Sequence, residues 1–183
     1  MAKSMTGSFY LTETVQIPAA SAAGTRYQGT IDLGAYVNVP TGQCVAVEQC
    51  DFIYQAGGDF GGDAGSLVAA QGSITCQLTD LNPGTAFVRA DDQSLIASGA
   101  LNIDKANNIA SQGTDMYPDQ WGPESLSHAF MVVNDTLYFV TGPDLANSGA
   151  VTDYITIRIR CRVAKLSTKD WMAIAIQSTA SDN

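Results

Sequence analysis

Apolar and polar residues alternate without a break through "ITIRIRCRV" at 155–163. Ile155, Ile157, Ile159, Cys161 and Val163 fall on one side, and Thr156, Arg158, Arg160 and Arg162 on the other. That is the period of a β-strand with one face in a core. The same period recurs along the chain. "SFYLTETVQI" (8–17) sets Phe9 and Leu11 against Tyr10 and Thr12, then reads as shifting phase toward Val15 and Ile17. Pro18 and the small-residue run after it end that strand. "RYQGTIDL" (26–33) and "YVNVP" (36–40) follow. "CVAVEQCDFIYQ" (44–55) is the longest strand, and its phase breaks around Glu48, the mark of a bulge. "GSITCQLTDL" (72–81) turns Ile74, Cys76 and Leu78 inward, and "TAFVRA" (85–90) and "SLIASGALNI" (94–103) add one or two more strands. "HAFMVV" (128–133) and "TLYFVTG" (136–142), joined by Asn134 and Asp135, predict a hairpin. "WMAIAIQ" (171–177) predicts a closing strand that puts Ile174 and Ile176 in the core beside Ile155, Ile157 and Ile159.

The segments between are rich in turn chemistry. "AGGDFGGDAGS" (56–66) holds five of the 17 glycines and reads as a loop. The stretch 104–127 reads as irregular but ordered, with Tyr117, Pro118, Trp121 and Pro123 docking it at one end of the molecule. No segment carries a 3.6-residue apolar period over a normal helix length. Eight to ten strands without an internal repeat or a break in composition predict one all-β domain over 1–183. Its expected form is a single jelly-roll β-sandwich of eight to ten antiparallel strands, since the strand number and long loops exceed an immunoglobulin sandwich.

Composition narrows the function. Hydrophobic residues make up 45% of the 183 positions, enough for a globular core. No apolar run approaches the ~18 residues that span a bilayer, and the first residues lack the apolar stretch of a signal peptide, so the chain is expected to fold in the cytoplasm that makes it. A net charge of −9 argues against a dedicated nucleic-acid binder. Cys44, Cys50, Cys76 and Cys161 are too few and too scattered for a disulfide scaffold. Cys44 and Cys50 would lie about 20 Å apart along one strand at ~3.3 Å per residue, so buried free thiols are expected.

The candidate chemistry is sparse. A single histidine, His128, and the lack of a Cys-x-x-Cys leave zinc and Ser-His-Asp sites unsupported. Asp59 and Asp63 in the glycine loop offer carboxylates for calcium, but without the ligand spacing of an EF-hand or a calcium repeat. Asp91 with Asp92, and Asp115 with Asp119, are pairs too close to predict a glycosidase. Trp121 beside Tyr117 would serve as a sugar-stacking platform in a carbohydrate-binding sandwich, the main alternative function. No catalytic residue, metal or cofactor is expected, and an enzyme is not.

The basic residues are the exception to this sparseness. Five of the nine cations lie between 158 and 169, whereas the acids are distributed. Arg158, Arg160 and Arg162 are therefore expected to serve contacts between subunits, where guanidinium groups fork onto carboxylates of a neighbour. A solvated face, or pairing within the monomer to Glu13 or Glu48, are the competing explanations.

The opening "MAKSMTGSFYLTETVQIP" and the closing pair "DYITIRIRCRV" and "WMAIAIQ" carry a resemblance. The chain resembles the smaller major capsid proteins of sphaerolipovirus-like icosahedral, membrane-containing viruses of haloarchaea. That resemblance implies a single jelly roll standing perpendicular to the capsid surface in the virion. It implies assembly with copies of itself and with a second, larger capsid protein into capsomers. An internal membrane would lie beneath the shell, with no insertion into it and no direct nucleic-acid contact.

Overall fold

The structure, a computed structural model, describes residues 2–58, 63–114 and 129–179. Ten strands appear in chain order: β1 (Lys3–Ser4), β2 (Phe9–Ile17), β3 (Tyr27–Asp32), β4 (Gln43–Ala56), β5 (Gly72–Thr79), β6 (Leu95–Asp104), β7 (Ile109–Thr114), β8 (Phe130–Val132), β9 (Thr136–Asp144) and β10 (Asp153–Lys165). A helix, α1 (Thr168–Thr179), follows them. One sheet runs β2-β10-β4-β8, with β1 continuing the β2 edge, and the other runs β3-β9-β5-β6-β7. The antiparallel pairs nest: β2 with β10, β3 with β9, β4 with β8, β5 with β6. Two long arms of chain are thus paired from their ends inward and wrapped across two sheets. This is the jelly roll that the strand pattern predicts.

The wrapping follows from where each strand's apolar set points. Ile155, Ile157, Ile159 and Cys161 of β10 are fully buried between the sheets, together with Val15 and Ile17 of β2, Ile74, Cys76 and Leu78 of β5, and Leu137 and Phe139 of β9. Phe52 of β4 stacks on Phe139 across the gap, ring centroids 6.0 Å apart. Gly99 of β6 makes room for it, since a Cβ there would stand 3.0 Å from the Phe52 ring.

Several expectations need correction. "WMAIAIQ" is not a strand but most of α1, which lies on the outer face of the β10–β4 sheet. There Trp171, Ile174 and Ala175 pack on a second, smaller core of Cys44, Ala46, Val133, Ala164 and Leu166. Ile174 is half-buried in that outer core, and Ile176 is 62% exposed. β8 and β9 are no hairpin, because they belong to opposite sheets and residues 133–135 turn the corner between them. Asn134 fixes that corner by donating to the backbone oxygen of Asp80 at 2.9 Å.

"YVNVP" forms turns and one 3-10 turn, Val39–Thr41, capped by Asn38. "TAFVRA" is not a strand either. Its backbone at Val88 is held by the Gln77 side chain, which accepts from Val88 N at 2.8 Å and donates to Val88 O at 2.9 Å in place of a ladder. The stretch from 104 begins not as irregular chain but as a hairpin, β6–β7, whose turn is organised by the Asp104 carboxylate accepting from Ala106 and Asn107. β2 keeps one phase throughout: Phe9, Leu11, Val15 and Ile17 share a face, and Glu13 stands on that face among them.

Candidate functional site

The arginine row lies on the outer face of the first sheet, opposite to the buried isoleucines. Its geometry is set by one irregularity in β4. Arg160 pairs with Gln49 and Cys161 with Val47, so Glu48 is the extra residue of a β-bulge. The bulge reverses the phase of β4. Val45 and Val47 face the main core before it, Cys50 and Phe52 after it. It also pushes the Glu48 side chain out between Arg160 and Arg162, as a bulge re-aims one side chain.

All three arginines have carboxylate partners in the same chain. Arg162 forks onto Glu48 Oε1, and Arg160 Nε stands 3.5 Å from Glu48 Oε2. Ser8 closes the cluster, donating to Glu48 Oε2 at 2.8 Å and accepting from Arg162 at 3.3 Å. Arg158, further along the strand, reaches Asp51 at 3.2 Å and lies over the Tyr10 ring at 5.6 Å. The three differ in burial: the Arg160 and Arg162 side chains are mostly covered and Glu48 is 3% exposed, while Arg158 is 49% exposed. Glu48 is thus one of the two internal partners expected from the sequence. Glu13 is not, because it faces inward, where burial raises its carboxyl above the ordinary range.

The remaining candidates separate. Asp63 caps a 3-10 turn, Ala64–Leu67, by accepting from Gly65 N at 3.0 Å. Asp59, its expected calcium partner, lies outside the described residues, as do Tyr117, Trp121, Asp115, Asp119 and His128. Among the described residues no group of three or more His, Cys, Asp or Glu side chains is placed to hold a metal ion. Asp91 makes an exposed pair with Arg89, and Asp92 caps Ser94. Cys44, Cys50, Cys76 and Cys161 are all buried free thiols. Burial pushes Cys76 and Cys161 up to about 12, with the Glu48 charge adding to the effect at Cys161, so neither is poised as a nucleophile.

Two buried acids were not singled out in the sequence. Asp80, at the end of β5, is 1% exposed, and its Oδ1 has no hydrogen-bond partner among the described residues. Burial, with Asp92 nearby, raises it to about 7. Asp153 opens β10 with no exposure and both carboxyl oxygens unpartnered, and burial raises it likewise to about 7. The signal was available. Asp153 occupies the inward phase of the alternation that runs on through Ile155 and Ile157.

Among the described residues no helix is long and apolar enough to cross a membrane. The chain matches no protein-family model, and a search of curated proteins finds no match.

Proposed function

We propose that this chain is a structural subunit of a virion: a jelly-roll shell protein that associates with copies of itself and with a second, larger capsid protein. Together they would build capsomers of an icosahedral shell over an internal membrane. The observation that carries this reading is the outer face of α1. Its inner side packs on the sheet through Trp171, Ile174 and Ala175, yet Met172, 55% exposed, and Ile176 continue apolar surface on the side turned to solvent. A helix apolar on both sides is the kind normally buried on both. It stands on the same sheet face as Arg158 and Tyr10, whose exposure adds a cationic and aromatic rim of the sort interfaces use.

The arginines enter this reading unequally. Arg160 and Arg162 are committed to Glu48, so Arg158 is the member of the row with a free flank for a neighbour. The reading is tested by sedimentation of the wild type and of the double variant Met172→Glu, Ile176→Glu, with circular dichroism as the folding control. Concentration-dependent oligomers in the wild type, reduced at least tenfold in association constant by the double change, are expected. A wild type that stays monomeric at high protein concentration and high salt would sink the proposal.

A further inference from the structure

The outer edge of β2 is the longest open strand edge among the described residues. β2 pairs with β10 on one side only, over nine residues, against six for the edge strands β3 and β7 and three for β8. Which backbone groups it offers follows from the ladder. The N–H and C=O of Val163 in β10 are taken by Thr6 Oγ1 at 2.9 Å and Met5 N at 2.8 Å, so the odd-numbered residues of β10 face this side. Leu166 N, just past β10, donates to Gly42 O at 2.8 Å on the β4 side, as alternation requires. Phe9, Leu11, Glu13 and Val15 stand opposite Cys161, Ile159, Ile157 and Ile155 and take up their backbone groups. The N–H and C=O of Tyr10, Thr12, Thr14 and Gln16 therefore point outward, and no described backbone group meets them.

What fits such an edge is an extended backbone, because its donors and acceptors alternate at strand spacing. The side chains say whose backbone. Natural edges are blunted by proline, lysine, a bulge or an inward-pointing charge. β2 has neither proline nor lysine, and its register with β10 is unbroken. Its one charge is Glu13, which lies over Gly29 of β3, where an added Cβ would stand 2.8 Å from Glu13 Oε1. On the outer face Tyr10, Thr12, Thr14 and Gln16 are exposed and uncharged. In a chain of net charge −9, two copies meet with least repulsion along such a strip. On the inner face Phe9 and Leu11 are only partly buried against the core, and the apolar face of an added strand would cover them.

We propose that β2 pairs antiparallel with β2 of a second copy about a two-fold axis, joining the two sheets that contain them into one. An axis at Thr12 or at Thr14 brings the outward backbone groups of both copies together and sets Glu13 against Leu11 or Val15 of the second copy. An axis at Glu13 would oppose two carboxylates and is disfavoured near neutral pH. This edge is a surface separate from α1, and the proposal does not rest on the reading of the chain as a shell subunit.

Amide hydrogen exchange of the full chain, followed by NMR at neutral pH over a range of protein concentration with sedimentation of the same samples, tests it. In the monomer the amides of Thr12 and Thr14 face water, while those of Leu11, Glu13 and Val15 are held by β10. As the dimer forms, exchange at Thr12 and Thr14 is expected to slow about tenfold or more, with Leu11, Glu13 and Val15 little changed. That alternation distinguishes pairing at the edge from a general gain in stability. Thr12→Pro, Thr14→Pro removes two outward donors and leaves the ladder with β10 intact. It is expected to weaken dimerisation about tenfold or more with the circular dichroism of the wild type. Thr12→Lys, Thr14→Lys keeps the donors but sets like charges against each other across the seam, and the same loss is expected if the proline variant does not fold. A chain that stays monomeric throughout, oligomers without the alternating protection, or a folded variant that dimerises like the wild type would overturn the assignment.

Discussion

Glu48 shows how one residue can decide what a row of charges means. In an unbulged β4 the position would follow the strand's alternation. As the extra residue of the bulge, it projects between Arg160 and Arg162 and is nearly shut off from water. Ion pairs at that burial matter mainly when broken, since the surviving charges are left uncompensated. Glu48→Gln retains the shape and leaves two guanidinium groups facing each other without a counter-charge. It is expected to lower unfolding free energy by about 3–5 kcal/mol in urea denaturation. Arg158→Ser removes a half-exposed pair and a partly hydrated contact with Tyr10, and is expected to cost under ~1 kcal/mol. Comparable losses in the two variants would show that the cluster does not hold the sheet. The arginines were legible in the sequence as a row, and the bulge was legible at Glu48. Their joint consequence was not, because it depends on which residue of β4 meets Arg160, a long-range register set by the whole sheet.

At the scale of elements, most strands were legible because one face of each is buried and period 2 survives in the letters. α1 was misread for a physical reason. In "WMAIAIQ" the apolar residues are dense enough to satisfy both periods: Ile174 and Ile176 share one face of a strand, while Trp171, Ile174 and Ala175 share a helical face. The deciding signal sits just upstream. Ser167 is a helix cap whose Oγ accepts from Asp170 N at 3.2 Å, three residues on, the spacing of a capping box. A second signal was the run "CVAVE", apolar on both faces. Cys44 and Ala46 are small residues that, with Ala164, let a helix approach the outer sheet face. The β8–β9 hairpin failed differently, since a tight turn between two strands fits a sheet-to-sheet corner as well as a hairpin. Close approach of backbones also fixes particular glycines. A Cβ on Gly142 of β9 would stand 2.0 Å from the carbonyl oxygen of Thr25, which crosses above it. Gly142→Ala is therefore expected to destabilise by about 1–3 kcal/mol or more through overpacking against an unyielding backbone. Gly84→Ala, without close neighbours but at φ +66, should cost about 1 kcal/mol through backbone strain alone. Thermal melts of the two variants that rank in the opposite order would count against this account.

Asp80 and Asp153, two deeply buried acids among the described residues, are held in the wrong medium, and their effect on the stability of the whole molecule has a definite sign. Asp153 lies between Ile17 and Ala56 of the flanking strands in one sheet, and Asp80 follows the end of β5 in the other. Both are raised by burial from the ordinary carboxylate range to about 7. Below about pH 4 each is protonated in the folded and the unfolded chain alike, and its burial cost is small. Between there and about pH 7 the folded chain keeps both protons while the unfolded chain releases them. Stability therefore falls as pH rises through this window, by up to ~1.4 kcal/mol per pH unit for each group, and levels off above it. For a chain of this size 1 kcal/mol corresponds to roughly 2–4 °C in melting temperature. The wild type is expected to melt several degrees higher at pH 5.5 than at pH 8, against the usual loss of stability in acid. The double variant Asp80→Asn, Asp153→Asn replaces both acids by neutral groups of similar shape. It should melt above the wild type at pH 8 and show a flatter profile from pH 5 to pH 8. A wild type whose melting temperature instead rises from pH 5.5 to pH 8, or a double variant with the wild-type slope, would mean that these two carboxyls do not set the pH dependence of the fold.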